Sequence, residues 1–166
     1  MATKNGVLVR RPRGDEWQAW RDLRLESLRE HPDAFLESFA AAAALDDNVW
    51  MQRVLHGHTL VAVRNGRITG MCVGYMDDTG APRLVAMYVM PAGRGSGLVE
   101  ALVEAVVAWA ADVTDSAAVI LWVNASNHRA RDAYKRSKFV ETGRVEPHPS
   151  LEGATVVEMA RALRTV

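Results

Sequence analysis

Pro91-Ala92-Gly93-Arg94-Gly95-Ser96-Gly97-Leu98-Val99 is the stretch on which the reading of this chain turns. Its glycines stand between a β-rich run, Arg83 to Met90, and a long apolar run that starts at Gly97. Glycine lets the backbone take left-handed conformations and come close to a ligand. A helix that opens just after such a turn adds unpaired N–H groups and the positive end of its dipole. Strand, glycine-rich turn and helix N-terminus in that order suit phosphate. The stretch lacks the Gly-Lys-Ser/Thr of a nucleoside triphosphate loop and the full G-x-G-x-x-G of a dinucleotide site. On this segment alone, a flexible loop without a ligand is the alternative.

Past the turn, the sequence from about Gly97 to Asp112 is apolar nearly all round, broken only by Glu100 and Glu104. These two lie four residues apart and mark one narrow wet stripe, so the segment predicts a core helix. Ala117 to Val123 is an apolar run rich in β-branched residues. It predicts a strand reached by a crossover and buried on both faces. Asn127 to Arg136 predicts another helix, with Asn127 at its N-cap. Two last strands, about Lys138 to Val145 and Ala154 to Leu163, flank a turn holding Pro147, Pro149 and Gly153.

Before the turn the pattern is a meander. The β-rich runs Thr59 to Val63 and Ile68 to Tyr75 are joined through Arg64-Asn65-Gly66-Arg67, and Asn-Gly between such runs predicts a type I′ hairpin. Asp77 to Pro82 predicts a second turn, and Arg83 to Met90 a third strand. The chain opens with a short strand, Val7 to Arg11, and a helix that the Gly14-Asp15 pair can cap and that runs to about His31. Trp17, Trp20, Leu23 and Leu28 give that helix a packing face. Ala34 to Leu45 reads equally as helix or as a packed connection, and Asp46 or Asp47 caps a short helix to about Leu55. The order predicts an α/β fold, a mixed sheet with helices on both faces, in a single domain over residues 1–166.

Composition removes several classes. Twenty basic residues balance twenty acidic ones, so no net field draws nucleic acid or an anionic membrane. The single Cys72 sits in an apolar stretch and predicts a buried, reduced thiol. The first residues lack the apolar core of a signal peptide, and no segment reaches about 18 uninterrupted apolar residues. The expectation is a cytoplasmic protein. His56, His58 and His128 show no metal-ligand spacing with Cys or carboxylates, so no metal is expected.

Two motifs then carry a family resemblance. Strand-Pro-x-x-Arg94-Gly95-Ser96-Gly97-Leu98-Val99, followed by Ala101 and Leu102, resembles the central cofactor motif of the GNAT superfamily of N-acetyltransferases, commonly R-x-x-G-x-[GA]. Val99 stands where that family usually carries Gly or Ala, and Ser96 where Lys or Arg is frequent. About thirty residues on, Asn127-x-x-Ala130-x-x-x-Tyr134-x-x-x-x-Phe139 resembles the later motif N-x-x-A-x-x-x-Y-x-x-x-G-F, with Lys138 in place of the glycine. Taken singly, Asn127 reads as an N-cap and Tyr134 as an amphipathic anchor.

The resemblance implies the GNAT acyl-CoA N-acyltransferase fold, with a mixed, mostly antiparallel sheet of about six to seven strands. It implies a bacterial-type N-acetyltransferase that moves an acetyl group from acetyl-CoA to a primary amine of a small molecule or a peptide or protein N-terminus. Tyr88, Val89, Met90, Arg94, Gly95, Ser96, Gly97, Leu98, Val99 and Asn127 are then the cofactor-binding residues. Tyr134 is the acid that protonates the departing thiolate. The strand Arg83 to Met90 has no carboxylate where many relatives carry Glu, so Glu37, Asp77, His148 or a water chain stay open as the base. Phe35, Glu37, Trp50, Trp122 and His148 are the acceptor-side candidates. A transferase for a longer acyl-CoA and a catalytically silent acyl-CoA sensor are the alternatives. Homodimers are common in that superfamily.

Overall fold

A computed structural model describes residues 2–4 and 6–163. Among them are the strands β1 (Ala2–Lys4) and β2 (Val7–Arg10), the helices α1 (Trp17–Glu30), α2 (Phe39–Ala43) and α3 (Asp47–His56), and the strands β3 (His58–Arg64), β4 (Arg67–Met76) and β5 (Pro82–Val89). Then come α4 (Leu98–Val113), β6 (Ala118–Asn124), α5 (His128–Arg136), β7 (Val140–Pro147) and β8 (Thr155–Ala162). The strands form one sheet in the order β1-β2-β3-β4-β5-β6-β8-β7. Every described neighbour pair is antiparallel except β5 with β6. Seven of these strands follow the sequence pattern, and the three-residue edge strand β1 is an addition to it.

Local chemistry accounts for the joints. Asn65 and Gly66 both take positive φ, 50° and 75°, the pair of left-handed residues that a type I′ hairpin needs. The Asn127 side chain accepts the Ala130 N–H at 3.1 Å and caps α5. At two other expected caps the aspartate makes no side-chain cap bond. Gly14-Asp15 starts a 3-10 turn, and the Glu16 carboxylate takes the Arg13 N–H at 2.7 Å because Arg10 already holds that carboxylate in place. Asp46 occupies the N-cap position of α3 without a side-chain bond. The ambiguous Ala34–Leu45 stretch resolves into an extended connection and the short α2, capped by Ser38, which accepts from the Ala41 N–H.

The sheet carries a core on each face. On one, Leu102, Val103 and Val106 of α4 pack against Leu60, Cys72, Leu121 and Met159. On the other, Trp20 and Leu28 of α1 and Trp50 and Val54 of α3 pack against Val61, Met71 and Tyr88. The strand period explains the division: Leu60 and Ala62 point to α4, and Val61 between them points to α1. The second helical layer stops short of β6. Val119, Leu121 and Val123 are buried, but Ile120 and Trp122 between them are only partly covered. That corrects the expectation of a strand buried on both faces, and the uncovered face becomes a cavity wall.

A β-bulge opens the sheet at its centre. Val73 lies opposite Val85 while Met71 lies opposite Tyr88, so β5 carries one extra residue, and Ala86 there takes φ 53°. A bulge of this kind bends and twists its strand. β5 and β6 share one registered pair, Arg83 with Ile120, near the start of β5. Beyond it the C-terminal ends of the two strands diverge.

Candidate active site

Two cavities occupy the divergence. The smaller, about 510 Å³, runs from the glycine turn to α5 and is lined by residues including His31, Tyr88, Val89, Arg94, Gly97 and Arg136. The larger, about 860 Å³, lies between α1, α3 and the open faces of β5 and β6. Ala34, Phe35, Met87, Asn127, Ala130 and Tyr134 line both. The two spaces therefore meet at one wall, and Tyr134 stands in it.

The turn before α4 has the backbone that anion binding needs. Gly95 and Gly97 take φ 77° and 80°, and a Cβ on either would meet open space, so glycine is set here by backbone conformation and not by crowding. Gly93 differs: a Cβ there would stand 2.9 Å from Leu98 Cδ1 and 3.1 Å from Val89 Cγ1. Helix α4 begins with no side-chain cap, which leaves its first N–H groups for an outside acceptor. The Arg94 Nε donates to the Val89 carbonyl at 3.1 Å, and Nη2 lies 3.2 Å from His31 Nε2. These contacts tie the turn to the end of β5.

Of the predicted cofactor residues, Tyr88, Val89, Arg94, Gly95, Gly97, Leu98, Val99 and Asn127 line the smaller cavity. Met90 and Ser96 do not. Met90 gives its N–H to Thr69 and its carbonyl to the Gly93 N–H, and Ser96 Oγ closes the turn onto the Gly93 carbonyl. The Met90 bond also sets the ladder phase. Paired positions alternate along antiparallel strands, so Val89 turns its N–H away from β4 and toward the cleft.

Tyr134 sits in the last turn of α5, against Phe139. Burial pushes its phenol pKa upward, so it carries its proton across the physiological range. Cys72 lies fully buried below α4, and burial likewise holds its thiol neutral.

The larger cavity is more charged than its sequence candidates indicated. Glu37 lies between two arginines, accepting from Arg24 at 3.0 Å and pairing with Arg53 at 2.9 Å. Arg24 is itself buried, lies 4.5 Å over the Phe35 ring, and has a guanidinium drawn below its ordinary pKa by that burial. Asp77 accepts from the Thr79 hydroxyl, the Ala81 N–H and Arg83, which hold it well below the usual carboxylate range. An acid so depressed is a poor proton acceptor. Trp122 and Phe35 line this cavity. Trp50 does not: it is buried edge-to-face against Trp20 at 5.6 Å. His148 lines neither cavity, and its Nδ1 accepts the Ser150 N–H.

Arg24, Arg53, Arg83, Arg129 and Arg136 also line these cavities and were not among the sequence candidates. Arg24 left a signal there. It falls four residues after Trp20 and four before Leu28, on the apolar stripe of α1, where a charge needs a buried partner or a ligand. No described residues form a group of three metal-ligating side chains, and no described helix is long and apolar enough to cross a membrane.

The sequence profile of the acetyltransferase (GNAT) family matches residues 17–139. Solved structures share the fold. A GCN5-related N-acetyltransferase from Kribbella flavida superposes with a TM-score of 0.75 at 21% identity, covering 95% of this chain and 98% of that one. The yncA protein of Salmonella typhimurium, solved with its cofactor acetyl-CoA, gives 0.77 at 18% identity over 96% and 95%. A spermidine N-acetyltransferase from Vibrio cholerae, solved with CoA and spermine, gives 0.73 at 14% identity over 96% and 97%. A search of curated proteins gives no match.

Proposed function

Because the chain belongs to the acetyltransferase (GNAT) family, we propose that it moves an acetyl group from acetyl-CoA to a primary amine, by direct attack of the amine on the thioester. The amine belongs to a small molecule or a peptide N-terminus. The observation that carries this reading is the meeting of two cavities at Tyr134, one on the glycine-turn side and one on the α1–α3 side.

The residues of the smaller cavity fit the cofactor. The uncapped start of α4 and the left-handed Gly95 and Gly97 offer main-chain N–H groups to a diphosphate. Val99, where the family pattern has a smaller residue, contributes through its backbone, which a side chain does not alter. Ser96 brings no charge, but Arg129 and Arg136 of α5 border the same space and can supply it. The edge of β5 at Tyr88 and Val89 suits an amide-containing arm laid beside it as an added strand.

Acetyl-CoA, when bound, supplies the activated acyl carbon. We assign to the Val89 N–H the stabilising of negative charge on an acyl oxygen. Tyr134 holds a proton at its phenol oxygen for the departing sulfur. Asp77 is depressed, Glu37 is committed to two arginines and His148 lies outside both cavities. A water chain is therefore the route we propose for the amine proton.

Calorimetry with acetyl-CoA, followed by thiol release over a panel of amines, tests the reading. Saturable binding with amine-dependent thiol release is expected. Binding without release would favour an acyl-CoA sensor, and no binding of any CoA thioester would end the assignment.

A further inference from the structure

Arg24 is a charged side chain held in an apolar setting with part of its guanidinium unused. It is 5% exposed, rests over Phe35 and binds Glu37 through Nε and Nη2. Its Nη1 is buried and has no hydrogen-bond partner. An unpaired buried donor on a cation is costly, and it calls for a partner such as a water, an ion or a ligand. Arg24 lines the larger cavity, so that is the space from which a partner can come.

The surrounding charge fixes the sign of that partner. Glu37 is shared between Arg24 and Arg53, which leaves one positive charge over in the cluster. The cavity lining as a whole carries Arg24, Arg53 and Arg83 against Glu37 and Asp77. Both carboxylates already face arginines, and the Arg83 Nη1, which makes no hydrogen bond, lies 3.9 Å from the buried Glu158 carboxylate. A polycation finds no free carboxylate in this lining. A guanidinium edge is matched by a carboxylate oxygen.

We infer that the acceptor is an amine that also carries a carboxylate, and that Arg24, flanked by Arg53, is the residue that receives it. This rests on the acetyl-transfer reading, in which the larger cavity holds the acceptor. A volume of about 860 Å³ is within the range for a small molecule of amino-acid size and leaves room for its side chain. Phe35, common to both cavities, sits beneath the Arg24 guanidinium. A carboxylate on Arg24 would thus be anchored beside the wall that holds Tyr134.

The test uses acceptors that differ at one group: a series of amino acids, their carboxamides and their decarboxylated amines, with spermidine as the polycation. Thiol release and calorimetric binding in the presence of CoA are both measured. The carboxylated member of each set is expected to bind and react roughly tenfold or more better than its carboxamide. Arg24→Gln is expected to erase that difference, raising KM and Kd for the carboxylate by roughly ten- to a hundredfold and those for the carboxamide much less. Should Arg24→Gln not fold, Arg53→Gln, on a more exposed residue, is expected to move the same ratio in the same direction by a smaller factor. Equal or better use of carboxamides, or preference for spermidine, overturns the inference while acetyl transfer stands. If acetyl-CoA binds and no amine releases thiol, the transfer reading falls, and selective calorimetric binding of carboxylates still decides for or against Arg24.

Discussion

Tyr134 and Phe139 meet edge-to-face, ring centroids 5.8 Å apart, across the cap that ends α5. The Phe139 N–H reaches back to the Tyr134 carbonyl at 3.0 Å and the Lys138 N–H to the Lys135 carbonyl at 3.0 Å. This double bond pattern, with an apolar contact between the same two ends, is a Schellman motif. The proposed acid is thus held through both its main chain and its ring.

The motif needs a left-handed residue between its bonds, and Lys138 supplies it at φ 66°. A side chain makes that conformation costly. Lys138→Gly is expected to raise stability by about 0.5–1 kcal/mol, after allowing for the extra freedom of glycine in the unfolded chain. Urea unfolding would show a higher midpoint at an unchanged slope. A lower midpoint would mean that the Lys138 side chain earns its place elsewhere.

Tyr134→Phe removes the phenol oxygen and keeps the ring contact with Phe139. Turnover is expected to fall roughly 10- to 1000-fold with little change in acetyl-CoA affinity. Because burial raises the Tyr134 pKa, the protonated acid persists above its ordinary value of about 10. The wild-type kcat should therefore show no loss from this group up to about pH 10. Undiminished turnover in the variant would remove Tyr134 from the chemistry.

The glycines near the site separate two kinds of cost. At Gly97 a Cβ meets open space but φ is 80°, so Gly97→Ala is expected to lose about 1 kcal/mol of stability and to weaken acetyl-CoA binding by turning the amides. At Gly93 φ is not left-handed, but the added methyl meets Leu98 and Val89. Gly93→Ala is expected to cost about 1–3 kcal/mol through overpacking. Thermal unfolding and calorimetry on the two variants would distinguish strain from crowding.

At the start of the chain, Glu16 accepts two bonds from Arg10, at 2.7 and 2.8 Å, and one from the Arg13 N–H. The Arg10 bonds and then the Arg13 amide hold its pKa near 2, below the ordinary 4.5. A depressed carboxylate stabilises the fold above its ordinary pKa and loses that contribution as pH falls toward its folded value. Stability should therefore decline from about pH 4.5 toward about pH 2, and Glu16→Gln should flatten that limb. An identical acid limb in the variant would assign the decline to other carboxylates.

Much of this was legible along the chain because it depends on neighbours in sequence. Asn65-Gly66 specifies its hairpin through its own backbone preferences, and Asn127 caps α5 by reaching an N–H three residues away. Seven strands followed from period and punctuation for the same reason. β1 is too short to show a period, and the Gly14-Asp15 cap failed because Arg10 and Glu16 offered a stronger arrangement.

Legible along the chain are the strand, glycine turn and helix around Pro91 to Leu98, the spacing of Tyr134 after Asn127, and the family that those motifs indicate. Packing in three dimensions settles that β5 leaves β6 after the Ala86 bulge, that Trp50 belongs to the core, and that Arg24, Glu37 and Arg53 share one cavity wall. The difference is one of range. Turns and caps are settled within a few residues, whereas strand divergence and the pairing of a buried charge depend on segments that meet only when the sheet and its helices pack.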